Sequence, residues 1–209
     1  MKGMPGKPVP WCIRMARIGD APIYVHFSML LVFLYFLFKA SIPIALWGML
    51  LLTALVVVHE AGHALVCRLV GAEVNFLYIT PLFGQCVYTH LDPQPDERDF
   101  ILIAWGGVFA QTVLLIISLL GFAIFSDTVF MPPGYVRADG FNFAHMTWLI
   151  LIAFNAGMIF FNLAPMEPLD GAKAWEMSPW RVVRAMWYGW NASRKKSSNK
   201  NMNTYLKTK

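Results

Sequence analysis

The stretch Leu51-Leu52-Thr53-Ala54-Leu55-Val56-Val57-Val58-His59-Glu60-Ala61-Gly62-His63-Ala64-Leu65-Val66 sets two imidazoles and a carboxylate inside an otherwise apolar run. That run extends from about Ile44 to Val70, long enough for a helix that crosses a bilayer. Residues four apart share a helical face, so His59 and His63 can hold one zinc ion between them while Glu60 approaches a water on it. This is the H-E-x-x-H spacing of zinc hydrolases. Ionisable side chains are costly at membrane depth, which favours a functional reading of all three.

Composition agrees with that setting. Hydrophobic residues fill 57% of the 209 positions and charged residues 14%, with mean hydropathy +0.53, outside the ordinary soluble range. Further apolar runs at about Ile23 to Phe38, Phe100 to Phe125 and Ala144 to Leu163 raise the expected total to about four transmembrane helices. Between the first two, Lys39 to Pro43 predicts a tight turn. Between the second and third, Glu73 to Thr80 is rich in β-formers and is followed by a turn and by Gln85 to Thr89, which predicts a short membrane-associated β-hairpin. The expected fold class is an all-α polytopic membrane protein with that hairpin. Its expected segments are a cytoplasmic N-terminal stretch over 1–22, an intramembrane core over 23–171 and a basic tail over 172–209. The first twenty residues lack the continuous apolar core of a signal peptide.

Of the 17 basic residues, only Lys39 and Arg137 fall on one side of this arrangement, so the positive-inside rule predicts that both termini are cytoplasmic. The predicted location is integral to the cell (inner) membrane. The net charge of +5 then reflects attraction to an anionic inner leaflet, and no nucleic-acid partner is expected. The H-E-x-x-H motif lies toward the cytoplasmic end of its helix, and a third ligand must lie at similar depth. His145 and Asp127 map to the opposite face. The fourth run ends in Asn162-Leu163-Ala164-Pro165-Met166-Glu167-Pro168-Leu169-Asp170-Gly171, where two prolines break the helix. Asp170 lies at the right side and depth, with Glu167 the alternative. A carboxylate third ligand leaves the fourth tetrahedral position open, as a catalytic zinc requires. Gly171 would permit a backbone turn that a side chain obstructs.

These two motifs, in this order, resemble those of the site-2 proteases, zinc metalloproteases that cut substrates within the membrane. The resemblance extends through Thr80-Pro81-Leu82-Phe83-Gly84-Gln85 and Ala104-Trp105-Gly106-Gly107-Val108, and covers about Ile23 to Gly171. It is greatest to the compact branch without a soluble regulatory domain. Gln85 stands where the family's loop has its second glycine, and Val108 where the third span has proline. The resemblance implies His59, His63 and Asp170 as zinc ligands, Glu60 as general base, and Asn162 as a residue that holds the substrate or its developing oxyanion. It implies a transmembrane protein as substrate and membrane-protein regulators as partners. The sequence leaves the oligomeric state open.

Other polar residues have structural readings. Asn155 suits an interhelical hydrogen bond, and Gly106-Gly107 a close helix approach. His26 and His90 suit packing or loop positions. Cys12, Cys67 and Cys86 all map to the cytoplasmic half and imply no disulfide. Asp96 and Glu97 suit a helix N-terminus. Pro179 to Trp190 interleaves arginines with aromatic rings, which suits an interfacial helix. The remaining tail is polar and basic, and a sequon at Asn191 goes unused on the cytoplasmic side. A zinc-binding membrane protein without hydrolytic activity would not need Glu60, and a transporter would spread its polar groups along a path rather than at one depth.

Overall fold

The structure, a computed structural model, describes residues 11–81, 83–90, 96–129 and 143–188. The side chains of Asp127 and His145, the loop over 91–95, Arg137, the Asn191 sequon and the tail lie outside the described residues.

The chain begins with strands β1 (Cys12–Ile18) and β2 (Ala21–His26), then helices α1 (Met29–Leu37) and α2 (Ile42–Leu69), strands β3 (Ala72–Ile79) and β4 (Gly84–His90), and helix α3 (Glu97–Val129). A last helical rod comprises α4 (Phe143–Trp148), a π turn π1 (Leu149–Phe154) and α5 (Asn155–Asn162). The short helix α6 (Gly171–Ala174) and a helix over 179–188, labelled α7, follow the break.

Two features depart from expectation. The four strands form one sheet in the order β1-β2-β3-β4, antiparallel at each hairpin and parallel between β2 and β3. The expected hairpin is present as β3 and β4, but the chain is not otherwise all-α. Ile23 pairs with Leu77 and Val25 with Ile79, so the first four residues of the expected first span are a strand, and the boundary expected at 22 falls inside β2. The reason is that only His26 and Ser28 interrupt the apolar run from Ile23 into α1, and hydrophobicity alone does not separate a buried strand from a helix. What remains, α1, has nine residues and rises about 14 Å, less than half a hydrocarbon layer of about 30 Å.

Two helices are long and apolar enough to cross a membrane, Ile42–Leu69 and Glu97–Phe125, and Met146–Asn162 is a shorter apolar stretch. Pro43 sits in the first turn of α2, where its missing N–H breaks no ladder bond, so the helix starts slightly before the expected Ile44. At the start of α3, Asp96 Oδ1 accepts from the Arg98 amide at 3.1 Å, as its acidic start predicts. α2 and α3 cross at Gly62 and Gly106. A Cβ on Gly62 would strike the Gly106 carbonyl oxygen, and one on Gly106 would lie 2.7 Å from the Gly62 oxygen, so neither helix tolerates a side chain there. The expected close approach is real.

The main core lies between this crossing and the sheet. Val56, Ala64, Val66 and Cys67 of α2 pack with Leu77 and Ile79 of β3 and with Ile101 and Trp105 of α3. Val182 and Ala185 of α7 join them, while Trp180, Trp187 and Tyr188 stay exposed, as an interfacial helix requires. A second cluster unites Phe36 of α1, Leu52 and Leu55 of α2, Met146 and Ile150. The motif on α2 lies within the main cluster, between Val56 and Ala64, and the second cluster holds the helix on its N-terminal side.

Candidate metal centre

His59, Glu60 and His63 are all buried on α2, at 5%, 2% and 6% exposure. The break after α5 brings Asp170 to them. Its Oδ2 lies 3.0 Å from His59 Nε2 and 3.2 Å from His63 Nε2, and the two Nε2 atoms are 3.0 Å apart. The opposite ring nitrogens fix the tautomers. His63 Nδ1 donates to the Ile103 carbonyl at 2.6 Å, an acceptor only, and His59 Nδ1 donates to Gln111 Oε1 at 3.0 Å. With both protons on Nδ1, two lone pairs and a carboxylate oxygen converge, and nothing donates to the buried Asp170 Oδ2. Three acceptors so close repel one another unless a cation lies between them. A tetrahedral ion with bonds of about 2.0–2.1 Å sets its donors about 3.3 Å apart, close to the observed spacing. The residues therefore fit zinc.

Glu60 offers a further carboxylate oxygen within 4.8 Å of both imidazole donors. Asp170 is the third donor at contact distance, which leaves Glu60 beside the centre. Glu60 accepts from the Cys86 backbone N–H, and a Cβ on Gly84 would occupy the space of its carboxylate. The start of β4 thus lies directly on Glu60.

No family model matches the chain. A curated zinc metalloprotease from Methanocaldococcus jannaschii is 25% identical over 193 residues, which are 90% of this chain and 50% of the relative. The chain thus spans about half the length of that relative. Among solved structures, a site-2 protease from the same organism superposes with a TM-score of 0.56 at 23% identity, covering 94% of this chain and 82% of the other. This chain has the site-2 protease fold. The resemblance drawn from the two motifs holds at the level of architecture, and the zinc centre has a counterpart in the relative's name.

Within that fold, α3 supplies the wall behind the metal donors. A Cβ on Gly107 would lie 2.5 Å from both His59 Cε1 and His63 Nε2, so the second glycine of Gly106-Gly107 makes room for the imidazoles. The Asp170 loop is held from three sides. Trp105 Nε1 donates to the Ala174 carbonyl at 2.7 Å, Trp175 Nε1 to the Leu163 carbonyl at 2.7 Å, and Lys173 Nζ reaches Glu97 Oε1 at 2.8 Å. A Cβ on Gly171 would strike the carbonyls of Leu163 and Ala164, as the expected tight turn requires.

A cavity of about 660 Å³ opens over the centre, lined by the four site residues, by Asn162, and by rings including Tyr88 and Phe100. Asn162 therefore faces the same space as the metal donors. Glu167 is exposed. His26 bonds Ser28 Oγ at 2.7 Å, and His90 packs on Phe100, so neither belongs to the centre. None of the three cysteines forms a disulfide, and a hydrogen bond from the Cys86 thiol to Cys67 together with burial pushes the Cys86 thiol up. Burial, with the nearby Cys67 and Cys86, pushes the Tyr88 phenol up to about 12, so both β4 groups stay protonated.

Gln111 is the site residue that sequence reading missed, while Trp105 and Gly84 lie in motifs that carry the resemblance but are given no contact with the site there. A polar Gln111 in the apolar middle of α3 was the available signal.

Proposed function

We propose that the chain is an intramembrane zinc endopeptidase that hydrolyses peptide bonds of membrane-spanning proteins near the cytoplasmic face. The observation that carries this is the convergence of His59, His63 and Asp170 at 3.0–3.2 Å, with Glu60 adjacent, on a helix long and apolar enough to span. A membrane setting is supported by burial: only 33% and 17% of the most apolar windows of α2 and α3 are covered by protein. Side chains such as Leu50, Ile117 and Ile124 are left facing outward and need an apolar phase. β2 with α1, which alone is too short to cross, and the α4–α5 rod would complete a four-pass arrangement with both termini in the cytoplasm, in the cell (inner) membrane. Substrate choice would then rest on the cavity and on membrane-protein regulators.

In this reading His59, His63 and Asp170 hold the ion. Zinc, when bound, polarises a carbonyl and lowers the pKa of water toward neutrality. Glu60, fixed by the Cys86 amide, takes the water proton at its carboxylate and delivers it to the leaving amine. Asn162 lines the cavity where it can hold the substrate backbone or developing oxyanion. A helical substrate must unwind before its peptide bonds are accessible. Among the described strands β4 pairs only with β3, so its other edge, beside Glu60, can take an unwound segment as an added strand.

The test is co-expression with single-span substrates. Cleavage near the cytoplasmic end of the span is expected for wild type, and none for Glu60→Gln, which retains zinc, or for Asp170→Asn. Cleavage that persists in Glu60→Gln would exclude Glu60 from the chemistry and overturn the assignment.

A further inference from the structure

The two histidines are oriented by unlike partners. His63 Nδ1 donates to the Ile103 carbonyl, a backbone group that no substitution removes. His59 Nδ1 depends on the side chain of Gln111, which is 0% exposed. Gln111 is itself tied on its other atoms. Its Nε2 points to Met158 Sδ at 3.6 Å, and its backbone carbonyl accepts from Asn155 Nδ2 at 3.1 Å. Asn155, also 0% exposed, is the first residue after the π turn, and so sits where the rod changes register. The bonds thus run from His59 on α2, through Gln111 on α3, to Asn155 and Met158 on α5. An apolar residue would have filled the Gln111 position at less desolvation cost, so the buried amide calls for a reason.

We infer that Gln111 is a positioning residue for the metal centre: by accepting the His59 Nδ1 proton it holds the Nε2 lone pair on the ion, and so sets zinc affinity. Without it His59 is free to place its proton on Nε2, a tautomer whose Nε2 cannot bind the ion. Such outer partners are generally worth about 10–100-fold in metal affinity. The inference rests on the proposed zinc centre but not on proteolysis.

The experiment measures zinc affinity by chelator competition on the purified, full-length protein in detergent, alongside the melting temperature of the zinc-stripped form. Gln111→Met keeps the size and apolar contacts but removes the strong acceptor. It is expected to weaken zinc about 10–100-fold with little change in apo melting temperature. Gln111→Glu keeps the acceptor and is expected to bind zinc at least as tightly as wild type, with a zinc-induced rise in melting temperature no smaller than that of wild type. Should Gln111→Met not fold, the Gln111→Glu result still decides. Wild-type affinity in Gln111→Met, or a tenfold loss in Gln111→Glu, would overturn the role of Gln111. If wild type itself binds no zinc, the metal-centre reading fails instead, which is a distinguishable result.

Discussion

The two halves of the metal centre are built differently. The α2 half places its donors by helical geometry: His59 and His63 are four residues apart on a helix that packs into the main core on both sides of them and into the second core further toward its start. The Asp170 half is a loop after a broken helix, held by local backbone turns and by side-chain hydrogen bonds from Trp105, Trp175 and Lys173. The difference teaches where the site is vulnerable. Damage to the α2 half should require a change to a donor or to the wall behind it, whereas the Asp170 half should loosen through residues that touch no metal.

The largest expected effect tests whether both halves are needed. His63→Ala and Asp170→Ala should each abolish stoichiometric zinc and reduce cleavage by at least about 10³-fold, measured by metal analysis and gel assay. Wild-type zinc in the Asp170 variant would leave α2 as the whole centre and end the comparison. Next in size is Gly107→Ala, whose Cβ would meet both imidazoles at 2.5 Å. It should displace the α2 donors and destabilise the fold by about 1–3 kcal/mol, with zinc content falling together with the melting temperature. A smaller effect is expected for Trp105→Phe, which takes the indole donor from the buried Ala174 carbonyl and leaves it the Met177 amide at 3.3 Å, at a cost of about 0.5–1.5 kcal/mol. Zinc affinity should drop several-fold because Asp170 is less well placed. Lys173→Met, which removes the exposed ion pairs with Glu97 and Glu176, should change cleavage by no more than about twofold. Equal losses in the Trp105 and Lys173 variants would show that the loop is held by charge instead of by its buried indole contact.

The same division explains how much was legible in the sequence. The α2 donors were, because a four-residue spacing is a local signal and survives any tertiary arrangement. Asp170 was also legible, since Pro165 and Pro168 mark the helix break that turns it inward. The β3–β4 hairpin was read from its β-formers and turn. What was not legible depends on contacts remote in sequence. β2 is hidden at the front of an apolar run, and its partner β3 follows some fifty residues later, after two helices. Gln111 is paired with His59 across 52 positions, and Trp105 with Ala174 across 69, and neither distance leaves a periodic trace. The Gly106-Gly107 pair was read for packing alone, although its second glycine also shapes the metal centre.

The π turn over Leu149–Phe154 has a consequence for how this chain tolerates changes of length. A π turn holds about one residue more than the α-helix it interrupts, and the helix on either side keeps its own facing. Removing a single residue from Leu149–Phe154 would therefore return the rod to plain α-helix with Met146 and Asn155 still directed at their neighbours. Removing one from Asn155–Asn162 would instead swing one end of that short helix about 100° relative to the other, turning Asn162 out of the cavity or Asn155 away from Gln111. The deletion that looks more disruptive, inside the irregular segment, is the one the architecture absorbs.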